Sequence, residues 1–189
     1  MRRFRGPALL AGAVLLGACA GPGEPAAEPD GQEQSVGAED TVDLDQVRAT
    51  GDVVRDRTRD VVAAAAGRGF TPAGASGSWT TCTDDASAWQ YAAQARLDAP
   101  SGSSSGELLD DVAAAVAEET GWTPGDIEDL TGRRRVGGPL ADVDVSLSAY
   151  PDLPLLLVSV LGPCLPVAEA DRDGLPAGSQ DIDVGGAGG

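Results

Sequence analysis

Histidine and lysine are absent from this chain. Without histidine there is no Ser-His-Asp or Cys-His nucleophile, no His-ligated zinc, and not the commonest general base near neutral pH. Without lysine there is no Schiff-base chemistry. What remains is carboxylates, hydroxyls, arginine, tyrosine and the cysteines Cys19, Cys82 and Cys164. Asp84-Asp85 and Asp142/Asp144 offer carboxylate pairs of the kind glycosidases use as acid and base. Adjacent or alternating acids in a small domain are expected to be solvated instead, and no catalytic residue is assigned. Glu169-Ala170-Asp171-Arg172-Asp173-Gly174 places oxygen ligands at alternate positions before a glycine, as a calcium loop does. Gln180 stands where that loop needs a bidentate glutamate, and Pro176 where an apolar residue is usual. The expectation is a solvated acidic tail, with no metal and no cofactor. Arg133-Arg134-Arg135, a basic cluster in an acidic chain, could hold a phosphate-bearing polymer or an acidic patch; an exposed turn is the plainer reading. Trp79, Trp89 and Trp122 could line a groove, but Trp89 lies in phase with an apolar strand face, so core packing is expected.

The cysteines are read from the N-terminus. Arg2, Arg3 and Arg5 precede an apolar run, Pro7 to Leu16, and the small residues Gly17 and Ala18. That is the layout of a secretory signal peptide. The uncharged stretch is well short of the roughly 20 residues that span a membrane. Arg2-Arg3 hints at twin-arginine export, but Phe4 fits that motif poorly, so Sec export is expected. Leu16-Gly17-Ala18-Cys19 resembles the lipobox of bacterial lipoproteins. The resemblance implies cleavage before Cys19, a diacylglycerol thioether on its sulfur, and a fatty acid such as palmitate on its new amino group. Two or more acyl chains make such anchoring stable, each buried methylene contributing about 0.8 kcal/mol. The alternative is an ordinary signal peptide cut near Ala18 or Ala20. Assigning Cys19 to lipid leaves Cys82 and Cys164, an even pair in an oxidising compartment, expected as a disulfide worth roughly 4 kcal/mol. Two buried thiols are the other reading of that pair.

Net charge is −17, and the signal peptide carries three arginines and no acid, so the mature chain is near −20. Such a surface repels nucleic acid and anionic headgroups. Residues 19–43 comprise the lipidated cysteine and a Gly/Pro/Ala/Asp/Glu-rich linker, expected to be disordered, with a typical span of roughly 30 Å. Residues 44–168 form the extracytoplasmic domain, and 169–189 are expected as a disordered tail.

Within the domain, Leu44, Val47, Val54, Val61, Val62 and Ala65 mark one face of a helix running to Gly67, with Asp56 and Arg59 spaced to pair on its wet side. Gly51-Asp52 threatens to break it. Phe70 to Ser78 reads as a Gly/Pro-rich connection. Trp89, Tyr91, Ala93, Ala95 and Leu97 alternate with polar residues as a strand. Ser104 to Glu107 has capping-box spacing for a second helix, which Gly121 ends with Trp122 folding back. Thr123 to Gly138 is turn-rich, with a short helical piece near Ile127 to Leu130. Val143 to Ala149 alternates as a strand, and Leu155 to Leu161 is apolar almost throughout, as in a sheet centre or a strand covered on both sides. The expected fold is α+β: a mainly antiparallel three- to four-stranded sheet, two helices packed on one face, and one disulfide. The Trp79-x-x-Cys82 segment, the Gly121-Trp122 helix end and the Val158-Ser159-Val160 strand leading to Cys164 are similar to small lipoproteins of actinobacteria. That resemblance implies location and architecture over Val47 to Val167, and no activity. The expected function is a lipoprotein held on the extracytoplasmic side of the cell membrane through Cys19. It would act as a non-catalytic binding module toward an envelope protein or polymer. The alternatives are a small carboxylate-dependent cell-wall enzyme and a carrier of an apolar ligand.

Overall fold

The computed structural model of the protein describes residues 42–82 and 87–185. The expected signal peptide, Cys19 and the linker up to residue 41 lie outside the described residues, as do Asp84, Asp85 and residues 186–189.

Helix α1 spans Leu44–Ala66 without a break. Asp43 caps it, its Oδ1 accepting from the Asp45 N–H at 2.7 Å, which satisfies one of the donors a helix start leaves open. Val47, Val54, Val61, Val62 and Ala65 are buried, as their spacing requires. Gly51 does not interrupt the helix, because its bareness serves packing. A Cβ there would lie 3.0 Å from Trp79 Cζ2, so the bare backbone at this residue lets the helix lie close against that ring.

Strand β1, Thr71–Thr81, occupies the segment expected as a connection. Its glycines and serines conceal it, but it pairs with β2 (Ala88–Asp98) almost along its whole length. Gly77 faces the core, and a Cβ on it would lie 2.6 Å from Tyr91 Cε1 and Oη. The strand gives up a side chain where the neighbouring ring lies across it.

Helix α2, Ser105–Thr120, starts with the expected capping box. The Glu107 N–H donates to Ser104 Oγ at 3.2 Å, and the Ser104 N–H donates to Glu107 Oε2 at 3.3 Å. Gly121 ends it at φ 78°, and Trp122 turns back to be 3% exposed, its Nε1–H donating to the Gly138 carbonyl at 2.9 Å. The turn-rich stretch beyond it holds no helical piece. It forms β3, Glu128–Leu130, and β4, Arg133–Leu140. Strands β5, Val143–Ala149, and β6, Leu155–Leu161, follow as expected. Two short strands complete the sheet: β7, Leu165–Pro166, and β8, Gln180–Asp181.

The sheet therefore has eight strands rather than three or four, all antiparallel, in the order β3-β4-β5-β6-β2-β1-β8, with β7 alongside the start of β2. The register lines up Val136, Leu147, Val158, Ala95 and Ala75 in one row across five strands. This row lies on the inner face, where α1 packs on β1, β2 and β6 and α2 on β4 and β5. Burying each Val or Leu of that layer contributes roughly 1.5–3 kcal/mol. Two helices on one face of an antiparallel sheet is the expected layering, and β6 takes its central place by lying between β5 and β2.

The segment after residue 168 is not a loose tail as far as Gly185. Glu169–Gly174 is a 3-10 helix, and Leu175 and Ile182 are 7% and 4% exposed. Its charges hid the two apolar side chains that dock it. The Cys82–Cys164 disulfide is present, with Cα atoms 6.1 Å apart. Cys82 follows β1 and Cys164 follows β6, the strands on either side of β2. The bond thus ties together both neighbours of β2 at that end of the sheet.

Candidate functional site

Three copies of an Asp-x-x-Arg spacing recur along α1: Asp45/Arg48, Asp52/Arg55 and Asp56/Arg59. Residues three apart are neighbours on a helix surface, and each aspartate accepts from its arginine's Nη1. A second nitrogen of each guanidinium turns to the C-terminal segment. Arg48 Nη2 donates to the Gly174 carbonyl at 3.2 Å, Arg55 Nη2 to Gln180 Oε1, and Arg59 Nε to the Asp183 carbonyl at 3.1 Å. Helix α1 therefore clips down a strap that runs from Gly174 to Gly185.

The middle clip is the most enclosed. Tyr91 is fully buried, and Trp79 meets it edge-on with centroids 5.2 Å apart. The Arg55 guanidinium carbon lies 4.6 Å from the Tyr91 ring centroid, while its Nε donates to Tyr91 Oη at 3.1 Å. The tyrosine O–H in turn donates to Gln180 Oε1 at 3.4 Å. Stacked cation, ring and amide satisfy one another. The cluster fastens the strap and carries no group poised for transfer.

The residues singled out in the sequence are scattered. Arg133, Arg134 and Arg135 open β4 instead of forming a turn, opposite Leu130, Asp129 and Glu128 of β3. Arg134 is engaged: its Nε donates to Asp129 Oδ1 at 3.0 Å, and its Nη1 to the Gly106 carbonyl at 2.6 Å and to Asp110 Oδ2 at 3.3 Å. Desolvation works to lower its pKa, but the carboxylates of Asp129 and Asp110 outweigh this and hold it above its ordinary value. Asp142 and Asp144 are both exposed, one in the β4–β5 turn and one on β5. Glu169 to Gly174 is helical, and among the described residues no three carboxylate or thiol groups gather as a metal site. Trp79 and Trp122 are buried in the core, and Trp89 is half-buried against it.

No sequence motif marked the sheet's other face. Among the described residues no helix lies on it. One row across six strands reads Gly137, Ser146, Ser159, Gln94, Ser76 and Asp181. Leu155, Leu157 and Leu161 flank it on β6, with Leu161 38% exposed. The result is a pleated surface of small hydroxyl side chains with an aliphatic strip, presenting hydrogen-bonding and apolar contacts together. Only the period-2 alternation of β5 and β2 hinted at it, by giving those strands a polar side.

No protein-family model matches the chain, and no curated protein matches it. Among solved structures it is similar to a DUF4853 family protein from Actinomyces odontolyticus ATCC 17982. That similarity has 15% identity and a TM-score of 0.47, covering 72% of this chain and 82% of the other. A likeness at that level carries no argument about activity.

Proposed function

We propose that this chain is a lipid-anchored, extracytoplasmic interaction domain that binds an envelope protein or polymer through the outer face of its sheet, without catalysis. The observation that carries the binding reading is the uncovered row from Gly137 to Ser76 with its leucine strip. Such a face offers broad hydrogen-bonding and apolar contact, with the charges of Arg96, Arg135, Asp144 and Asp181 around the hydroxyl row and the leucines. The anchor rests on Leu16-Gly17-Ala18-Cys19, and the Cys82–Cys164 bond accords with an oxidising compartment. Long reach from a linker of acidic and small residues would let the face meet partners away from the bilayer.

Two measurements test it. Cys19→Ala should move the protein from the membrane to the soluble fraction. A photo-crosslinking residue at Gln94, on the outer face, should yield a discrete adduct in cells, while one at Glu118 on the exposed side of α2 should not. Retention of Cys19→Ala in membranes would remove the anchor, and equal labelling from both positions would remove the binding face.

A further inference from the structure

Strand β1 is unevenly paired. Its inner edge is matched to β2 as far as Thr81, opposite Trp89. Its outer edge is matched to β8 at Ser76 and Gly77 alone, with one further bond from the Ile182 N–H to the Ala75 carbonyl at 3.0 Å. Among the described residues no strand lies beside Ser78 to Thr81 on that outer edge. An unpaired edge of this kind is a template for another extended chain.

The strap shows what chemistry the edge accepts. Gln180 lies opposite Gly77 on the core side and reaches Arg55 and Tyr91. Two residues on, Ile182 is buried, and Val184 packs against the core beyond it. Asp181 and Asp183 point away and are exposed. The edge thus takes an extended segment with an amide followed by branched aliphatics at alternate positions. Gly178, at φ 80°, turns the strap off the edge before it could continue beside Trp79. Pro176 to Ser179 is wholly exposed, so the strap can swing without disturbing Leu175.

We propose that the outer edge of β1 is a docking edge for an extended segment of a partner protein, and that Gln180 to Val184 is the chain's own occupant, which that segment displaces. A partner segment that stays extended ahead of its amide position gains ladder bonds along Ser78 to Thr81 that the strap forgoes. A second copy of this chain is a poorer occupant, because its strap carries Pro176, without an N–H, where the added ladder would run, and each strap already sits on its own edge at high effective concentration. This rests on the reading of the chain as an interaction domain, but not on the outer sheet face or the anchor.

The test uses the full mature chain and a fluorescent peptide with the sequence Thr-Thr-Val-Ser-Gln-Asp-Ile-Asp-Val, which repeats the strap after four extended residues. Loosening the strap with Arg59→Ala, which frees the Asp183 carbonyl, or separately with Ile182→Asp, should tighten peptide binding about tenfold or more, since less self-occupancy must be displaced. Locking it with Ser76→Cys/Asp181→Cys, across a matched pair, should abolish binding. Equal affinity in loosened and locked chains, no binding to any of them, or strap exchange between copies in place of peptide binding each overturns the proposal. Failure here with the Gln94 crosslink intact would sink the edge and leave the sheet face standing.

Discussion

At the residue scale, two glycines set how closely the aromatic pair can be enclosed. A Cβ on Gly77 of β1 would collide with Tyr91, and one on Gly51 of α1 would crowd Trp79. Tyr91 cannot move aside easily, because Arg55 holds its hydroxyl and Trp79 its edge. Gly77→Ala should therefore cost about 1–3 kcal/mol, the range for overpacking a fixed core. Urea unfolding checks this, and Gly77→Ala/Tyr91→Leu should recover part of the loss as a coupling between the two positions. An unchanged midpoint for Gly77→Ala would show that the ring gives way. From sequence, glycine at these positions suggests a break or a loop. Its packing role depends on residues up to 40 positions away, so it was not legible. Arg134 was visible as a charge, but not its ties to Asp129, which the β3–β4 pairing brings near, and to Gly106, which the packing of α2 on β4 brings near.

At the element scale, local signals located the helices well. The capping box at Ser104, the αL glycine at Gly121 and the stripe of α1 are short-range patterns. Strands β2, β5 and β6 declare themselves by alternation or a continuous apolar run. β1 and β4 do not, because glycine, serine, proline and arginine fill much of them, and β3 is three residues of which two are acidic; pairing partners make them strands. The β4–β5 connection shows that such pairing can impose strain. Leu140 pairs with Val143, leaving Ala141 and Asp142 to make the turn, and Ala141 adopts φ 51°. A left-handed alanine costs about 1–2 kcal/mol, and glycine's extra chain entropy offsets part of that. Ala141→Gly is expected to raise stability by about 0.5–1 kcal/mol, read as a higher urea midpoint with unchanged slope. A lower midpoint would mean that the alanine is not strained there.

At the scale of the whole molecule, the strap lies on the outer edge of β1 and the disulfide ties the ends of β1 and β6 across β2. The disulfide closes a separation of 82 residues, which the chain-entropy account values at roughly 4 kcal/mol. Cys82→Ala/Cys164→Ala should lose about that much, and a midpoint equal to the parent's would show that the reduced chain is already as constrained. The sequence by itself determined the two helices, the three self-evident strands and the lack of histidine and lysine chemistry, and it pointed to the Cys82–Cys164 pair once Cys19 is read by its lipobox resemblance. Each depends on composition or on neighbours a few residues apart. The tertiary structure alone decided that the sheet grows to eight strands, that an acidic stretch becomes a clipped strap, and which face and edge stay open. Those outcomes follow from pairings between distant segments, where a residue's value depends on what the fold sets opposite it.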